Sequence, residues 1–356
     1  MRFSICVPNY NYARYLGETI GSVLSQSETD FEVLVSDNAS TDDSVAIVKG
    51  LGDPRVKLRV NRWNVGFAGN LDKAAAGATG DHMIMLSSDD LMEPDALAAY
   101  RRLVEALGGD AARTIFACTV HVIDGEGKRT GHRPIDWKQW RGAVKDEALS
   151  AAVGADVYRM PAHQLLARSL ELLRSPFRFL ATCFPRGVYE AVEGYGGQRL
   201  MNPDKWFVWK ALSVAEHAAM IDAPLFSYRV HENNQGAIQA RTGALKHLVD
   251  QYVASFDMPA PVQKASGLDA QALAVNFIEQ DVALRGLQAL ARGDRRRAQR
   301  GVWFGLAAYP ELARRNRKLT ALRILLALGP LGTFAAKTMA GRARQAWMAE
   351  ETGGLA

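Results

Sequence analysis

HMIMLSSDDLMEP, residues 82–94, is an apolar run that ends in two adjacent carboxylates, Asp89 and Asp90. Like charges this close repel, so a strand end that carries both must gain something from them. One use is to cap the helix expected from about Pro94 and Asp95, although Ser87 or Asp95 alone would suffice. The other is to hold a cation. Adjacent side chains of a straight strand point to opposite faces. Both acids therefore reach one ion only where the chain bends out of the sheet, and Ser87-Ser88 before them and Leu91-Met92 after them suit a bend. Oxygen ligands with room for phosphate oxygens are what Mg²⁺ or Mn²⁺ requires.

Upstream, the chain alternates strand and helix. Apolar runs at 3–7, 31–35, 56–60 and 82–86 predict strands, and helical spacing over 15–26, 41–51 and 67–78 predicts helices between them, the second capped by Ser40 or Thr41. Apolar strands separated by amphipathic helices indicate a parallel sheet covered on both faces. Ligands of such sheets gather at the carboxyl ends of the strands. Three polar clusters fall there: Pro8-Asn9-Tyr10-Asn11, Ser36-Asp37-Asn38 and Ser87-Ser88-Asp89-Asp90. Asp37 has an ordinary explanation as a helix cap. Its functional alternative is to accept a hydrogen bond from the imide N–H of uracil or thymine, with Tyr10 against the face of that ring. Neither GxGxxG nor GxxxxGK[ST] follows the first strand, which argues against a dinucleotide enzyme and a P-loop ATPase.

Downstream, 114–123 predicts a strand, 124–127 a turn, and 224–230 the last convincing strand. From about residue 240 the pattern is helical, broken at Pro259-Ala260-Pro261 and near Pro310 and Pro330. The 356 residues suffice for a large catalytic domain and an appendage, and 48% hydrophobic with 23% charged residues is ordinary globular composition. Three widely spaced cysteines, Cys6, Cys118 and Cys183, sit in apolar runs and read as reduced core residues of a cytoplasmic protein. The first residues are too short an apolar stretch for a signal peptide. No run approaches the roughly 20 apolar residues that span a bilayer. The expected location is the cytoplasm, or the cytoplasmic face of the inner membrane as a peripheral protein.

As an ordered set, SICVPNYNYARYLGETIGSVLSQSETDFEVLVSDNASTDDS and NRWNVGFAGNLDKAAAGATGDHMIMLSSDDLMEP resemble the N-terminal half of the family 2 glycosyltransferases, over about residues 2–100. The resemblance implies a GT-A fold: a Rossmann-like, mostly parallel central sheet flanked by helices, here with a mostly helical C-terminal extension. It implies a nucleotide-sugar donor. The Pro-x-Tyr-Asn region, with Pro8, Asn9 and Tyr10, would hold the base together with Asp37. Asn61, Asn64 and Gly66 would lie along the nucleotide, with Asn70 on the next helix. Ser88-Asp89-Asp90 stands where the family has its DxD-type motif, which places Asp89 at the ribose or metal and Asp90 on the ion that bridges the diphosphate. Ser87 departs from the acid that many members carry there, leaving fewer carboxylates for Mn²⁺ or Mg²⁺.

The second half supplies the reaction partner in the same resemblance. In GYGGQRLMNPDKWFVWKAL, residues 194–212, Asp204 stands where related enzymes carry a general base, with Asn202-Pro203-Asp204 replacing the usual Glu-Asp. An acid at a helix N-terminus is also ordinary, favoured by the dipole. In PLFSYRVHENNQ, Arg229 and His231 match a Tyr-Arg-x-His element beside the donor phosphates, where Arg229 would contact phosphate and His231 complete the metal sphere. Either residue could instead anchor a loop. The family reaction is a single inverting displacement, here onto a hydroxyl of a saccharide acceptor expected to be lipid-linked, as in O-antigen or capsule assembly.

The expected organisation is a catalytic domain over 1–238, with a nucleotide-sugar half to about 110 and an acceptor half beyond it, then a helical region over 239–356. That region is rich in arginine (Arg292, Arg295–Arg297, Arg300, Arg314, Arg315, Arg317, Arg323), in a chain of net charge +5. It reads as helices with a solvated basic face or as a peripheral membrane surface. No nucleic-acid module accompanies the charge, and oligomeric state has no signature in the sequence. A sugar nucleotidyltransferase would begin with a glycine- and arginine-rich loop unlike Pro8-Asn9-Tyr10-Asn11. A processive synthase would carry Gln-x-x-Arg-Trp and membrane helices. A degenerate binding subunit would not be expected to keep Asp37, Asp89, Asp90, Asp204 and His231 together.

Overall fold

The computed structural model describes residues 1–196, 202–232, 234 and 244–340. The glycine-rich stretch at 197–201, Asn233, Gln235, the expected boundary at 238 and the chain after 340 lie outside the described residues. The strands are β1 (Phe3–Asn9), β2 (Phe31–Asp37), β3 (Val56–Val60), β4 (His82–Met85), β5 (Leu91–Met92), β6 (Thr114–Ile123), β7 (Arg129–Arg133), β8 (Val144–Lys145), β9 (Val157–Pro161), β10 (Cys183–Pro185) and β11 (His217–Arg229). They form one sheet in the order β3-β2-β1-β4-β10-β6-β11-β9-β8, with β5 on β11 and β7 on β6. The stretch from β3 to β4 is wholly parallel. Beyond it the short β10 runs antiparallel to both neighbours, and β6 and β11 pair parallel.

This follows from the residue pattern. β1 and β2 are buried along their whole length, which is why they read as unbroken apolar runs. The edge strand β3 alternates apolar residues with Lys57 and Arg59, and those charges blunt an exposed edge. Helix α1 (Ala13–Leu24) turns Leu16, Ile20 and Val23 onto the sheet, and α4 (Ala96–Leu107) adds Leu97, Tyr100 and Leu103 to the same core. Burying each such side chain contributes roughly 1.5–3 kcal/mol. The three cysteines are free and buried in that interior.

Two local expectations are corrected. Helix α2 (Ser44–Gly50) starts later than its pattern suggested, so Ser40 and Thr41 are not its cap. Their N–H groups bond instead to Asp37 Oδ1 (2.9 Å) and Asn11 Oδ1 (2.8 Å), tying the loop to the strand ends. Helix α3 (Gly66–Ala75) stops short of 78.

The chain leaves the sheet where the acid pair stands. β4 ends at Met85, the Asp90 N–H closes a turn onto the Ser87 carbonyl (3.3 Å), and β5 then pairs with β11. With β5 between them and Ala96, Asp89 and Asp90 are not the caps of α4.

The chain divides into two compact units, one of residues 1–169 and 174–237, the other of 170–173 and the chain from 238 on. In the second unit the described residues after 243 are helical. Two of its breaks fall at prolines, Ala260–Ser266 following Pro259 and Pro310 beginning Pro310–Arg315, and others at Gly267, Gly293 and Gly329. Asp269, Asp294 and Asn316 cap three of its helices through their side chains. Among the described residues, no helix is long and apolar enough to cross a membrane.

Candidate active site

Because β1, β2 and β4 are parallel, their carboxyl ends share one edge of the sheet, and a cavity of about 390 Å³ opens there. Its wall brings together Pro8, Asn9 and Tyr10 after β1, Asn38 after β2, Asn64, Gly66 and Asn70 around the start of α3, and Ser87 to Asp90 after β4. Tyr12, Phe67, Phe179, Tyr228 and Asn234 complete it.

An asparagine network holds the strand ends in register. Asn61 donates to Asn38 Oδ1 (3.2 Å) and Asn70 Oδ1 (2.9 Å). The Asn38 amide donates to Asn64 Oδ1 (2.9 Å), and Asn64 Oδ1 also accepts from the Gly66 N–H (2.8 Å). Asn70 donates to the backbone carbonyls of Ser36 (3.0 Å) and Asn9 (3.3 Å). Asparagine suits this work because one side chain both donates and accepts. Gly66 adopts φ +81°, which lets the chain turn into α3 directly beneath the cavity. Asp37 is buried and is not part of the wall; its carboxylate accepts from the Asn9 amide (2.8 Å) and the Ser40 N–H.

The acids sit on the wall with little solvent. Asp90 is 1% exposed, and its Oδ1 accepts the Arg229 backbone N–H at 2.8 Å. Asp89 is 8% exposed and lies 3.0 Å from His231 Nε2. Arg229 ties the two acids to the sheet. Its Nε donates to the Asp89 carbonyl (2.8 Å), a terminal nitrogen reaches Glu18 (2.7 Å), and the guanidinium lies 4.8 Å from the Tyr15 ring centroid. His231 packs on the same Tyr15 ring at 4.7 Å. Tyr15 and Glu18 lie three apart on α1, the spacing that puts both on one helix face. Burial raises the pKa of both carboxyls. The contact with His231 draws Asp89 part of the way back, whereas the neighbouring Asp89 charge drives Asp90 higher still.

Asp204 lies in the first turn of helix Pro203–Val214, with Pro203 at the position where a missing N–H costs nothing. It lines a small aromatic pocket with Phe177, Phe179, Phe184, Tyr195 and Phe207. Phe179 belongs to this pocket and to the large cavity alike, so the two adjoin.

Residues 4–160 match the model of glycosyl transferase family 2. Over that stretch the chain is similar to the family. It is 26% identical over 274 residues to an uncharacterized glycosyltransferase of Nostoc sp., covering 72% of this chain and 76% of that protein. It is 36% identical over 88 residues to WfgD of Escherichia coli, a UDP-Glc:alpha-D-GlcNAc-diphosphoundecaprenol beta-1,3-glucosyltransferase, a match that takes 25% of this chain and 35% of WfgD. Of six further curated relatives it spans 10–36% of the length. Among solved structures, Staphylococcus aureus TarS 1-349 with UDP-GlcNAc superposes with a TM-score of 0.62 at 17% identity, over 97% of this chain and 92% of that one. That likeness shows the GT-A fold, as the resemblance in the sequence implied.

Within this fold, the expected site residues occupy three positions. Pro8, Asn9, Tyr10, Asn64, Gly66, Asn70, Ser88, Asp89 and Asp90 line the cavity. Asp37, Asn61, Arg229 and His231 are not part of its wall, but each is bonded to a residue that is. Asp204 lies in the adjoining pocket. Sequence reasoning passed over Tyr12, Asn38, Phe67, Phe179, Tyr228 and Asn234. Asn38 carried a signal, the polar cluster that ends β2. Phe179 carried none, since it comes from an irregular segment ahead of β10.

Proposed function

We propose that the protein transfers a sugar, with inversion, from a nucleotide-diphosphate donor to a hydroxyl of a saccharide acceptor in bacterial surface polysaccharide synthesis. A UDP or dTDP donor is favoured over a GDP donor. The observation that carries this reading is the continuity of the site: a cavity of about 390 Å³ walled in part by asparagines ends at two buried acids and shares Phe179 with the pocket of a third. The similarity to WfgD, with its UDP-glucose donor and diphosphoundecaprenol-linked acceptor, supports a lipid-linked acceptor and work at the inner-membrane surface.

In this reading Asn9, Tyr10 and Asp37 form the base end, and the asparagine network sets the floor beneath the nucleotide. Asp89 and Asp90 fit a hard divalent ion, Mn²⁺ or Mg²⁺. Their donors are carboxylate oxygens on the cavity wall, and both are carboxyls whose charge burial disfavours until a cation offsets it. Among the described residues no three His, Cys, Asp or Glu side chains form a ready-made cage. That matches an ion held by one or two carboxylates together with substrate phosphates. Such an ion supplies Lewis-acid stabilisation of the departing diphosphate. His231 holds Asp89 in the free protein and becomes a third ligand if that contact is exchanged.

Breaking the sugar–phosphate bond develops positive charge at the anomeric carbon while the acceptor hydroxyl loses its proton. Asp204 takes that proton as general base, from the aromatic pocket on the side away from the diphosphate. Phe179 and its aromatic neighbours keep water from competing for the sugar. The test is a thermal-shift screen of UDP, dTDP, GDP and their sugars with Mn²⁺, Mg²⁺ or EDTA, followed by donor hydrolysis. Metal-dependent stabilisation and slow release of the nucleoside diphosphate are expected. Stabilisation with no turnover on any donor would leave a binding subunit instead.

A further inference from the structure

The second unit ends, within the described residues, on an outer face that nothing in that unit covers. In helix Arg317–Ala327 the inner side is Leu319, Leu322 and Leu326. The outer side carries Ile324, 56% exposed, and beyond it come Leu328 (52%), Leu331 (75%), Phe334 (73%) and Met339 (59%). The chain turns at Gly329, φ +62°, and residues 330–340 form a second helical run. This run lies close against the first: a Cβ on the buried Gly332 would stand 1.8 Å from the Leu325 carbonyl oxygen. Packing at Gly332 and Ala336 commits the opposite side of the run, with Leu331 and Phe334, to the outside.

The charge carried by this stretch of chain has one sign. From 312 to 349 the sequence contains no acid, while Arg314, Arg315, Arg317, Lys318, Arg323 and Lys337 fall among the described residues. Lys318 is paired with Glu279 at 2.7 Å. Arg317, Arg323 and Lys337 are exposed and, among the described residues, have no ion pair. Large exposed apolar patches are uncommon on soluble monomers and mark interaction surfaces.

We infer that the outer face of residues 317–340 is a docking surface for an anionic lipid bilayer, with Ile324, Leu328, Leu331 and Phe334 entering the headgroup boundary and Arg317, Arg323 and Lys337 meeting lipid phosphates. An amphipathic helix with a cationic rim has this interfacial pattern. A second copy of the chain fits less well, because a two-fold contact sets a patch against itself and would bring these cations together with no acid between them. The inference extends the lipid-linked acceptor of the proposed function, but its evidence is this face alone.

The test is co-sedimentation of the full chain with phosphatidylcholine vesicles, with and without about 30 mol% phosphatidylglycerol, at two salt concentrations. Binding to the anionic vesicles only, weakened by salt, is expected. Leu331→Glu/Phe334→Glu and Arg317→Glu/Arg323→Glu should each lower the bound fraction by roughly tenfold or more, with melting temperatures showing that both variants fold. Equal binding to neutral vesicles, or variants that sediment like the wild type, would overturn it. So would light scattering that finds a dimer which the apolar variant dissolves. Failure of the nucleotide screen with vesicle binding intact would sink the glycosyl-transfer reading and leave this surface standing.

Discussion

The sheet buries carboxylates at both of its ends and treats them in opposite ways. At the amino end, Glu32 of β2 is saturated with donors: Lys57 Nζ at 2.6 Å, Ser4 Oγ at 2.7 Å, and the N–H and hydroxyl of Thr79 at 2.7 and 2.8 Å. Burial pushes its carboxyl up, but these donors together outweigh burial and hold it at about 2. At the carboxyl end, Asp89 and Asp90 are buried with too few donors, and both are displaced upward. One end spends its acid on the fold, whereas the proposed function gives the acids of the other end to a ligand. The presence of a buried carboxylate in a sheet is thus a poor guide to its role; the count of donors around it is a better one.

The largest expected effect tests whether the third acid, Asp204, belongs with the reserved ones. Asp204→Asn keeps the size and polarity of the side chain and removes its basicity. Transfer should fall about 10³-fold or more, within the span seen for general bases, while nucleotide-induced stabilisation stays at the wild-type level. Turnover near wild type would return Asp204 to the class of ordinary helix N-terminal acids.

Next comes the pair itself. Asp90→Asn retains an oxygen for the Arg229 N–H but removes a buried charge. Metal-dependent nucleoside diphosphate affinity should drop roughly 100-fold, while the metal-free protein should melt higher than wild type. The sign follows from linkage: a carboxyl whose folded pKa is raised contributes stability below its unfolded pKa, and loses it as pH rises through the raised value. A variant that binds nucleotide normally and melts lower would place Asp90 with Glu32.

Glu32→Gln sharpens the contrast from the other side. Its folded pKa of about 2 lies below the ordinary 4.5, so its stabilisation is present above about 4.5 and lost as pH falls toward 2. The substitution should cost about 2 kcal/mol at neutral pH and flatten that acid limb in a urea titration, without changing activity at temperatures where the variant is folded.

How far these roles could be read from the sequence depends on whether neighbours in space are neighbours in the chain. The parallel half of the sheet was legible because each strand is a continuous apolar run and each polar cluster follows one directly. The bend at Ser87-Ser88 was legible for the same reason, and the chain does turn there. Ser40 and Thr41 looked like caps because residue type alone cannot distinguish a cap from a loop tied to Asp37 and Asn11. The donors around Glu32 come from β1, β3 and the turn before β4, so nothing in its local sequence marks it as satisfied. Phe179 and Tyr228 reach the cavity from elements whose placement depends on pairings far along the chain.

The smallest expected effect concerns the base end, where donor counting sets Asn9 against Asp37 as the reader of the base. Asp37 looked like the direct reader of the base, yet its oxygens accept from Asn9 Nδ2 and the Ser40 N–H. A carboxylate only accepts, so it fixes which way the Asn9 amide points. Asn9 lines the cavity, is 1% exposed, and its Oδ1 has no hydrogen-bond partner among the described residues. A buried acceptor left alone costs about 1–3 kcal/mol, and the N–H on the pairing edge of uracil, thymine or guanine would satisfy it. Cytosine presents an acceptor at that position and would not. Asn9→Ala should therefore narrow the preference for UDP over CDP by about tenfold, measured by calorimetry, and should lower the melting temperature, because the buried Asp37 carboxylate loses the Asn9 donor. If Asn9→Ala keeps the preference and Asp37→Asn loses it, Asp37 reads the base directly and belongs with Asp89 and Asp90 among the acids reserved for the ligand.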